Sequence, residues 1–299
     1  MDRKVGVSLF NGIGVGFLAL KQLGIKLDAL VSSEINEDSN MVNQSHFPET
    51  VQIGDITKVD LKHLKKTLGD VYIVMGGSPC TNFSFAGKRN GMTTITHERI
   101  TTLKRYLQLK KEGFQFDGQS YLFWEFVLTV KILKPKYFFL ENVNMSKEWE
   151  SVITKELGVL PIRINSNLVS GQNRLRLYWT NIPNVSQPID KGIKFSRLIG
   201  GKSCSFRGRK LYDDDFYTQV FQYTKNDKSN CLVTGGNTNK VHRPDGTVEN
   251  LTVTEFELLQ TLPVGYTKVK DICNTKRKEM IGNSWTLDVI KHIFSNLNE

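Results

Sequence analysis

Val71-Tyr72-Ile73-Val74-Met75-Gly76-Gly77-Ser78-Pro79-Cys80-Thr81-Asn82-Phe83-Ser84 holds the decisive transition of this 299-residue chain. The apolar run at its start reads as a buried strand, and the glycines end that strand in a loop. A cysteine therefore stands just past the carboxyl end of a strand, the edge where open α/β sheets bind ligands and carry out chemistry. A thiolate there can add to an electron-poor carbon, which makes Cys80 a candidate nucleophile; a buried structural cysteine is the alternative.

Outward from this run, short apolar stretches alternate with amphipathic ones, the pattern of a largely parallel sheet flanked by helices. Val5–Phe10, Ala29–Ser33, Val51–Gly54 and Tyr137–Leu140 read as further strands. Val15–Leu23, the Leu61-Leu64-Leu68 face and Tyr121–Leu133 read as helices, and Ser146 as the cap of another that runs to about Leu157. From about Asn181 to Asn250 the alternation stops and Asn, Gly, Lys and Asp dominate, so a small, irregular second domain is expected over 181–252. The helical pattern resumes from 253. The expected fold is α/β, with the first domain over 1–180 and a return to it over 253–299.

The four cysteines, Cys80, Cys204, Cys231 and Cys273, are far apart and form no metal-binding spacing. They fit a reducing cytoplasm, and neither a signal peptide nor an apolar run long enough to span a membrane is read. A formal charge of +10 favours a polyanionic partner. Part of the excess is local: Lys88, Arg89, Arg99, Lys104, Arg105, Lys110 and Lys111 are opposed only by Glu98. A basic segment right after the candidate nucleophile points to nucleic acid, whose phosphates reward clustered cations.

The loop Phe10-Asn11-Gly12-Ile13-Gly14-Val15-Gly16 joins the first strand to the first helix, where backbone can approach a ligand closely. Glu34 ends the second strand, placed to accept hydrogen bonds from ribose hydroxyls, and Asp55 follows the third, placed to meet an adenine amino group. Each could equally be a turn or cap residue; together they describe a pocket for an adenosine-containing cofactor.

At this point the chain resembles the DNA (cytosine-5) methyltransferases, whose motifs occur in order along nearly its whole length. Phe10–Gly16 looks like their glycine loop, and Gly77-Ser78-Pro79-Cys80 with Phe83-Ser84 like their Pro-Cys loop. Glu141-Asn142-Val143 is similar to their Glu-Asn-Val motif, and Gln172-Asn173-Arg174-Leu175-Arg176 to their Gln-x-Arg-x-Arg motif. Leu258-Leu259-Gln260 with Pro263 resembles the segment after their recognition domain. Gly282-Asn283-Ser284 resembles their last motif, followed here by Trp285-Thr286. The spacing from Arg174 through Tyr178-Trp179 and Asn181 is also similar to the de novo DNA methyltransferases. Only 90–117 and about 185–250 lack counterparts.

The resemblance implies a Rossmann-like methyltransferase that uses S-adenosylmethionine and methylates C5 of a cytosine flipped out of double-stranded DNA. Cys80 would add to C6, making C5 enamine-like, and Glu141 would act on the ring nitrogen. Arg174 and Arg176 would hold the base and phosphates; alternation through Leu175 and Leu177 puts both on one face of a strand. Phe10, Gly12, Gly14, Glu34, Asp55, Ile56, Pro79, Leu122, Asn283 and Ser284 would line the cofactor pocket. Residues 181–252 would form the target recognition domain, with Ser84, Lys88, Arg89, Gln172, Arg207, Arg209 and Asn237 as expected nucleic-acid contacts and Lys210, Thr234, Gly235 and Asn239 as further candidates. The long interval after Cys80 is expected to hold an extra helix within 94–111 that lies over the DNA through its basic residues. A monomer or weak self-associate of prokaryotic or phage origin, with no metal, is expected. Methylation of tRNA cytosine and a catalytically silent DNA-binding relative are the alternatives.

Overall fold

The structure, a computed structural model, describes residues 3–80, 82–83, 91–210, 217–233 and 239–297, with backbone alone at 206–210 and 217–221. It divides into two compact units: residues 1–164, 175–186 and 293–299 form the first, and 165–174 and 187–292 the second.

The first unit opens with β1 (Val5–Leu9), α1 (Val15–Gln22), β2 (Ala29–Ser33), α2 (Glu37–His46), β3 (Val51–Gln52), α3 (Leu61–Leu68) and β4 (Ile73–Gly77). It continues through β5 (Thr93–Thr94), α4 (Leu103–Lys111), β6 (Phe116–Asp117), α5 (Phe123–Leu133), β7 (Tyr137–Val143), α6 (Lys147–Leu157), β8 (Ile162–Asn165) and β9 (Leu175–Thr180). Seven strands form one sheet in the order β3-β2-β1-β4-β7-β9-β8. The pairs β3-β2, β2-β1, β1-β4 and β4-β7 are parallel, and β9 runs antiparallel to β7. The α/β class with a mixed, mostly parallel sheet is as the sequence pattern implies.

Strand interiors follow from apolar runs buried on both faces. Val5, Val7 and Leu9 of β1 are fully buried and join Val74, Leu140, Leu177 and the α5 residues Trp124, Phe126 and Val127 in one core. Fully burying each such side chain stabilises by roughly 1.5–3 kcal/mol. The β4 exit is tight: a Cβ on Gly76 would stand 3.0 Å from Phe126 and 3.1 Å from the Leu9 carbonyl oxygen. α3 starts at Asp60, whose carboxylate accepts the Lys62 and His63 N–H groups, and stops at Gly69. Ser146 does occupy the N-cap of α6, though its hydroxyl makes no capping bond.

In the first unit the sequence pattern announces neither α2 nor the short strands β5, β6 and β8. α2 buries only Ser39, Val42 and Asn43, so its apolar stripe is too thin to register. Its start is set by Asn36, whose side chain accepts the Ser39 N–H at 2.8 Å. The extra helix expected within 94–111 is α4, capped by Thr102.

The second unit contains α7 (Phe195–Ile199), β10 (Lys202–Lys210), β11 (Tyr217–Tyr223), β12 (Lys240–His242), β13 (Val248–Asn250), α8 (Val253–Leu259), α9 (Asn274–Asn283) and most of α10 (Leu287–Phe294). The region read as irregular in fact carries an antiparallel sheet, β11-β10-β12-β13. Its strands escape a sequence reading because β12 and β13 are three residues each, too short to show alternation, and β10 mixes Lys, Ser, Gly and Arg. α8 is fixed by a reciprocal capping box between Thr252 and Glu255.

Candidate active site

Parallel pairing of β4 and β7 sets Gly77 against Glu141, so the strand that leads into Cys80 and the strand that bears Glu141 end side by side. Antiparallel β9 then sets Arg176 against Val143, and its guanidinium Nε comes 3.0 Å from Glu141 Oε1. Both side chains are largely buried, which strengthens the attraction and makes loss of either partner costly. Next to Glu141, Asn142 Nδ2 donates to the Ser78 carbonyl at 3.1 Å and to its hydroxyl at 3.0 Å. The same strand end therefore carries the carboxylate and steadies the loop two residues before Cys80. The Cys80 thiol is partly exposed and not in a disulfide.

At the β1 end, Gly12 and Gly14 take φ of 54° and 79°, a left-handed backbone that glycine adopts at little cost. Phe10 also has a positive φ. This loop meets Glu34 directly: the Gly12 N–H donates to Glu34 Oε2 at 2.8 Å, while Ile35 and Asn36 N–H groups donate to Oε1. Asp55 caps the short 3-10 turn Ile56–Lys58 and accepts the Thr57 N–H and hydroxyl. Burial alone would raise its pKa, but the Thr57 hydrogen bonds and the Lys58 ammonium outweigh it and hold the carboxyl below its ordinary range. Ile56 is buried, Pro79 immediately precedes Cys80, and Leu122 ends the turn Ser120–Leu122 that feeds α5.

The family model for C-5 cytosine-specific DNA methylases matches residues 5–156, just over half of the chain. The chain belongs to that family. It is 28% identical over 232 residues to the orphan methyltransferase M.SPRI of Bacillus phage SPR, covering 73% of this chain and 46% of that protein. It is 28% identical over 241 residues to the orphan methyltransferase M.SPBetaI of Bacillus phage SPbeta, covering 67% and 53%. The chain thus spans about half the length of the curated relatives it matches. Among solved structures it superposes on a DNMT2 variant of Spodoptera frugiperda with a TM-score of 0.66 at 17% identity, covering 100% of both chains. It superposes on Dnmt2 of S. pombe with a TM-score of 0.67 at 16% identity, covering 99% of this chain and 98% of that one. These two likenesses establish the methyltransferase fold.

Other expected site residues of this cytosine methylase family member fall in the second unit. β9 begins at Leu175, so only Arg176 lies on the strand and the expected shared face with Arg174 does not form. The Arg174 guanidinium, nearly fully buried, instead donates to the Ser284 carbonyl at 2.9 Å, the Leu232 carbonyl at 3.3 Å and the Cys231 sulfur at 3.2 Å. Asn283 ends α9 and Ser284 caps it. Gln172, expected to touch nucleic acid, is fully buried: its amide donates to the Leu259 carbonyl and to Gln260 Oε1 and accepts the Leu232 N–H. Asn239 is likewise buried, donating to the Cys231 carbonyl. Lys228, with no signal in the sequence, is buried with its ammonium donating to the carbonyls of Asn167, Ser170 and Ile193.

The cations of the 91–111 stretch also differ from expectation. Arg99 pairs with Glu148 at 2.5 Å, Arg105 with Glu98 at 2.6 Å and Lys110 with Glu125, and among the described residues Lys104 and Lys111 take part in no ion pair. Ser84, Lys88, Arg89, Thr234, Gly235 and Asn237 lie outside the described residues, and Arg207, Arg209 and Lys210 are described only as β10 backbone. Among the described residues no group of three or more His, Cys, Asp or Glu could hold a metal ion, and no helix is long and apolar enough to cross a membrane.

Proposed function

We propose that this chain is a DNA (cytosine-5-)-methyltransferase that acts through a covalent bond between Cys80 and C6 of a cytosine turned out of the duplex. The observation that carries the reading is the buried Glu141–Arg176 pair, whose Glu141 lies on β7 beside β4, the strand that delivers Cys80, and whose Arg176 lies on β9, the next strand over. S-adenosylmethionine, used generally by the family, supplies an electrophilic methyl group on a sulfonium sulfur.

The residues of the first unit fit that group. Glu34 is held by three backbone N–H groups beside the glycine loop, and each carboxylate oxygen has more than one lone pair, so it can still accept from ribose hydroxyls. Asp55, kept ionised, can accept from an amino group. Phe10, Gly12, Gly14, Ile56, Pro79 and Leu122 complete the proposed lining.

Cytosine C5 is too weakly nucleophilic while the ring is aromatic. Cys80, as thiolate, forms the S–C6 bond; the C5–C6 π pair moves to C4–C5, and the C4–N3 pair moves to N3, which takes a proton from Glu141. Arg176 holds that carboxyl in place through the step. The C4–C5 pair makes C5 nucleophilic toward the methyl group that the cofactor would supply. Loss of the C5 proton to a base restores the C5–C6 double bond and expels Cys80, while N3 returns its proton to Glu141. A stacked base cannot present C5 and C6 in this way, so the base must leave the helix. Residues 181–252 are the proposed target recognition segment, and the charge of +10 favours the duplex as partner. Relatives from Bacillus phages support a prokaryotic or phage setting.

The test is to incubate the protein with methyl-labelled S-adenosylmethionine and either duplex DNA or tRNA, beside Cys80→Ser, and to map modified bases. Label in DNA 5-methylcytosine that disappears in Cys80→Ser is expected. Transfer to tRNA alone would replace the DNA assignment, and transfer that survives Cys80→Ser would overturn the nucleophile.

A further inference from the structure

We infer that the 91–122 insert braces the nucleophile loop through Asn82, making Asn82 a positioning residue for Cys80; this rests on the reading of Cys80 as nucleophile. Asn82 lies two residues after Cys80 and is 95% buried, unusual for an amide side chain on an active-site loop. Its backbone N–H donates to the Ser120 hydroxyl at 3.1 Å, and its Nδ2 to the Asp117 carbonyl at 3.1 Å. Its own carbonyl accepts the Gly91 N–H at 2.9 Å. Both ends of the insert therefore grip one residue. Gly118 makes room for it: φ is +62°, and a Cβ there would stand 2.6 Å from both heteroatoms of the Asn82 amide.

The insert is itself anchored. Arg99 lies 4.8 Å over the Trp149 ring while bonding Glu148, and Phe83 stands edge-on to the same ring at 6.1 Å. α4 is tied to α5 by Glu125, a fully buried carboxylate that accepts from the Tyr106 hydroxyl and the Lys110 ammonium. β5 and β6 pair through Thr93 and Asp117, placing the Asp117 carbonyl that Asn82 needs. With Asn142 holding Ser78 on the other side, Cys80 sits between two clamped residues, and the Phe83 N–H donates to its carbonyl at 2.9 Å. Of the four cations on the basic helix that charge alone would lay on DNA, Arg105 and Lys110 are spent on its own scaffold.

The brace matters for rate because covalent addition needs sulfur and C6 in near-attack geometry, and a displacement of about 1 Å costs on the order of 100-fold. The test uses Asn82→Ala from the loop side and Gly118→Ala from the insert side, with Ser120→Ala as a milder change that removes one acceptor. Each is assayed for kcat, KM for DNA, cofactor affinity, Tm, and the rate of covalent capture by DNA containing 5-fluorocytosine. The expected result is a fall of about 10- to 100-fold in kcat and in capture rate for the first two, with KM and cofactor affinity within about two-fold. Wild-type capture rates in folded Asn82→Ala and Gly118→Ala would overturn the brace while leaving the nucleophile intact. A loss that appears in KM and cofactor affinity as much as in kcat would also overturn it, since general loosening does that. Absence of capture by the wild-type protein would instead overturn the nucleophile, and the brace with it.

Discussion

Glu141 and Arg176 meet across antiparallel strands β7 and β9, with Arg176 Nε 3.0 Å from Glu141 Oε1. The arginine compensates a carboxylate that the sheet edge largely removes from water, so the two substitutions have different signatures. Glu141→Gln keeps an acceptor for Arg176 and removes the group that exchanges a proton with N3: kcat falls by about 10²- to 10⁴-fold with Tm little changed. Arg176→Ala strands a buried charge and lowers stability by about 3 kcal/mol in addition to activity. Initial rates at saturating DNA together with thermal unfolding separate the two.

Gly14→Ala adds a Cβ at φ 79° and 2.4 Å from Asn43 Oδ1. The left-handed backbone alone costs roughly 1–2 kcal/mol, and the contact adds to it. Cofactor affinity measured by calorimetry falls along with Tm; pairing the change with Asn43→Ala recovers the steric share but not the backbone share.

The ion pairs around α4 redistribute the expected DNA contacts. Lys104→Gln with Lys111→Gln flattens the salt dependence of DNA affinity by up to about 0.9 per lost phosphate contact, whereas Arg105→Gln leaves the slope unchanged. Binding measured across a salt series decides this, and a slope that drops with Arg105→Gln would return that residue to the interface.

Lys228 donates to three carbonyls from within the second unit, although burial pushes its pKa down. Lys228→Met leaves those carbonyls unpaired and lowers stability by about 3 kcal/mol or more. Denaturant unfolding followed by hydrogen exchange at 165–174 reports the loss.

Asp55 has a folded pKa below its ordinary value of 3.8, so its stabilising contribution is complete above that value and is lost as pH falls through the folded pKa. Asp55→Asn therefore reduces the acid sensitivity of stability below about pH 4 while leaving a neutral-pH deficit. The side chain is partly exposed, so the effect is small; stability titrated from pH 7 to 3 measures it.

Much of the first unit was legible because its determinants are local. Val5–Phe10, Ala29–Ser33, Val71–Met75 and Tyr137–Leu140 read as strands from their apolar character, and the glycine loop, Pro79-Cys80 and Glu141 stand at or just past the ends of three of them. What escaped was decided by partners distant in sequence. Nothing around Arg174 announces that its guanidinium bonds the Ser284 carbonyl, 110 residues on, while Arg176 turns to Glu141. Gln172, expected to contact nucleic acid from the motif it shares with Arg174 and Arg176, is instead held in a buried socket by Gln260 and the Leu259 carbonyl. Charge alone could not show that Glu98, Glu125 and Glu148 would claim three of the cations around α4.

The second unit's tie points also bear on modularity. Gln172, Arg174 and Gln260 lace together residues 231–232, 259–260 and 281–284, while Lys228 reaches back to 167 and 170. A chimera that exchanged only the variable stretch with that of a relative would import foreign residues at 228 and 232 and cut threads anchored outside the graft. On the proposed reading of 181–252 as the recognition segment, a graft of that segment is expected to keep its fold only when these sockets travel with it.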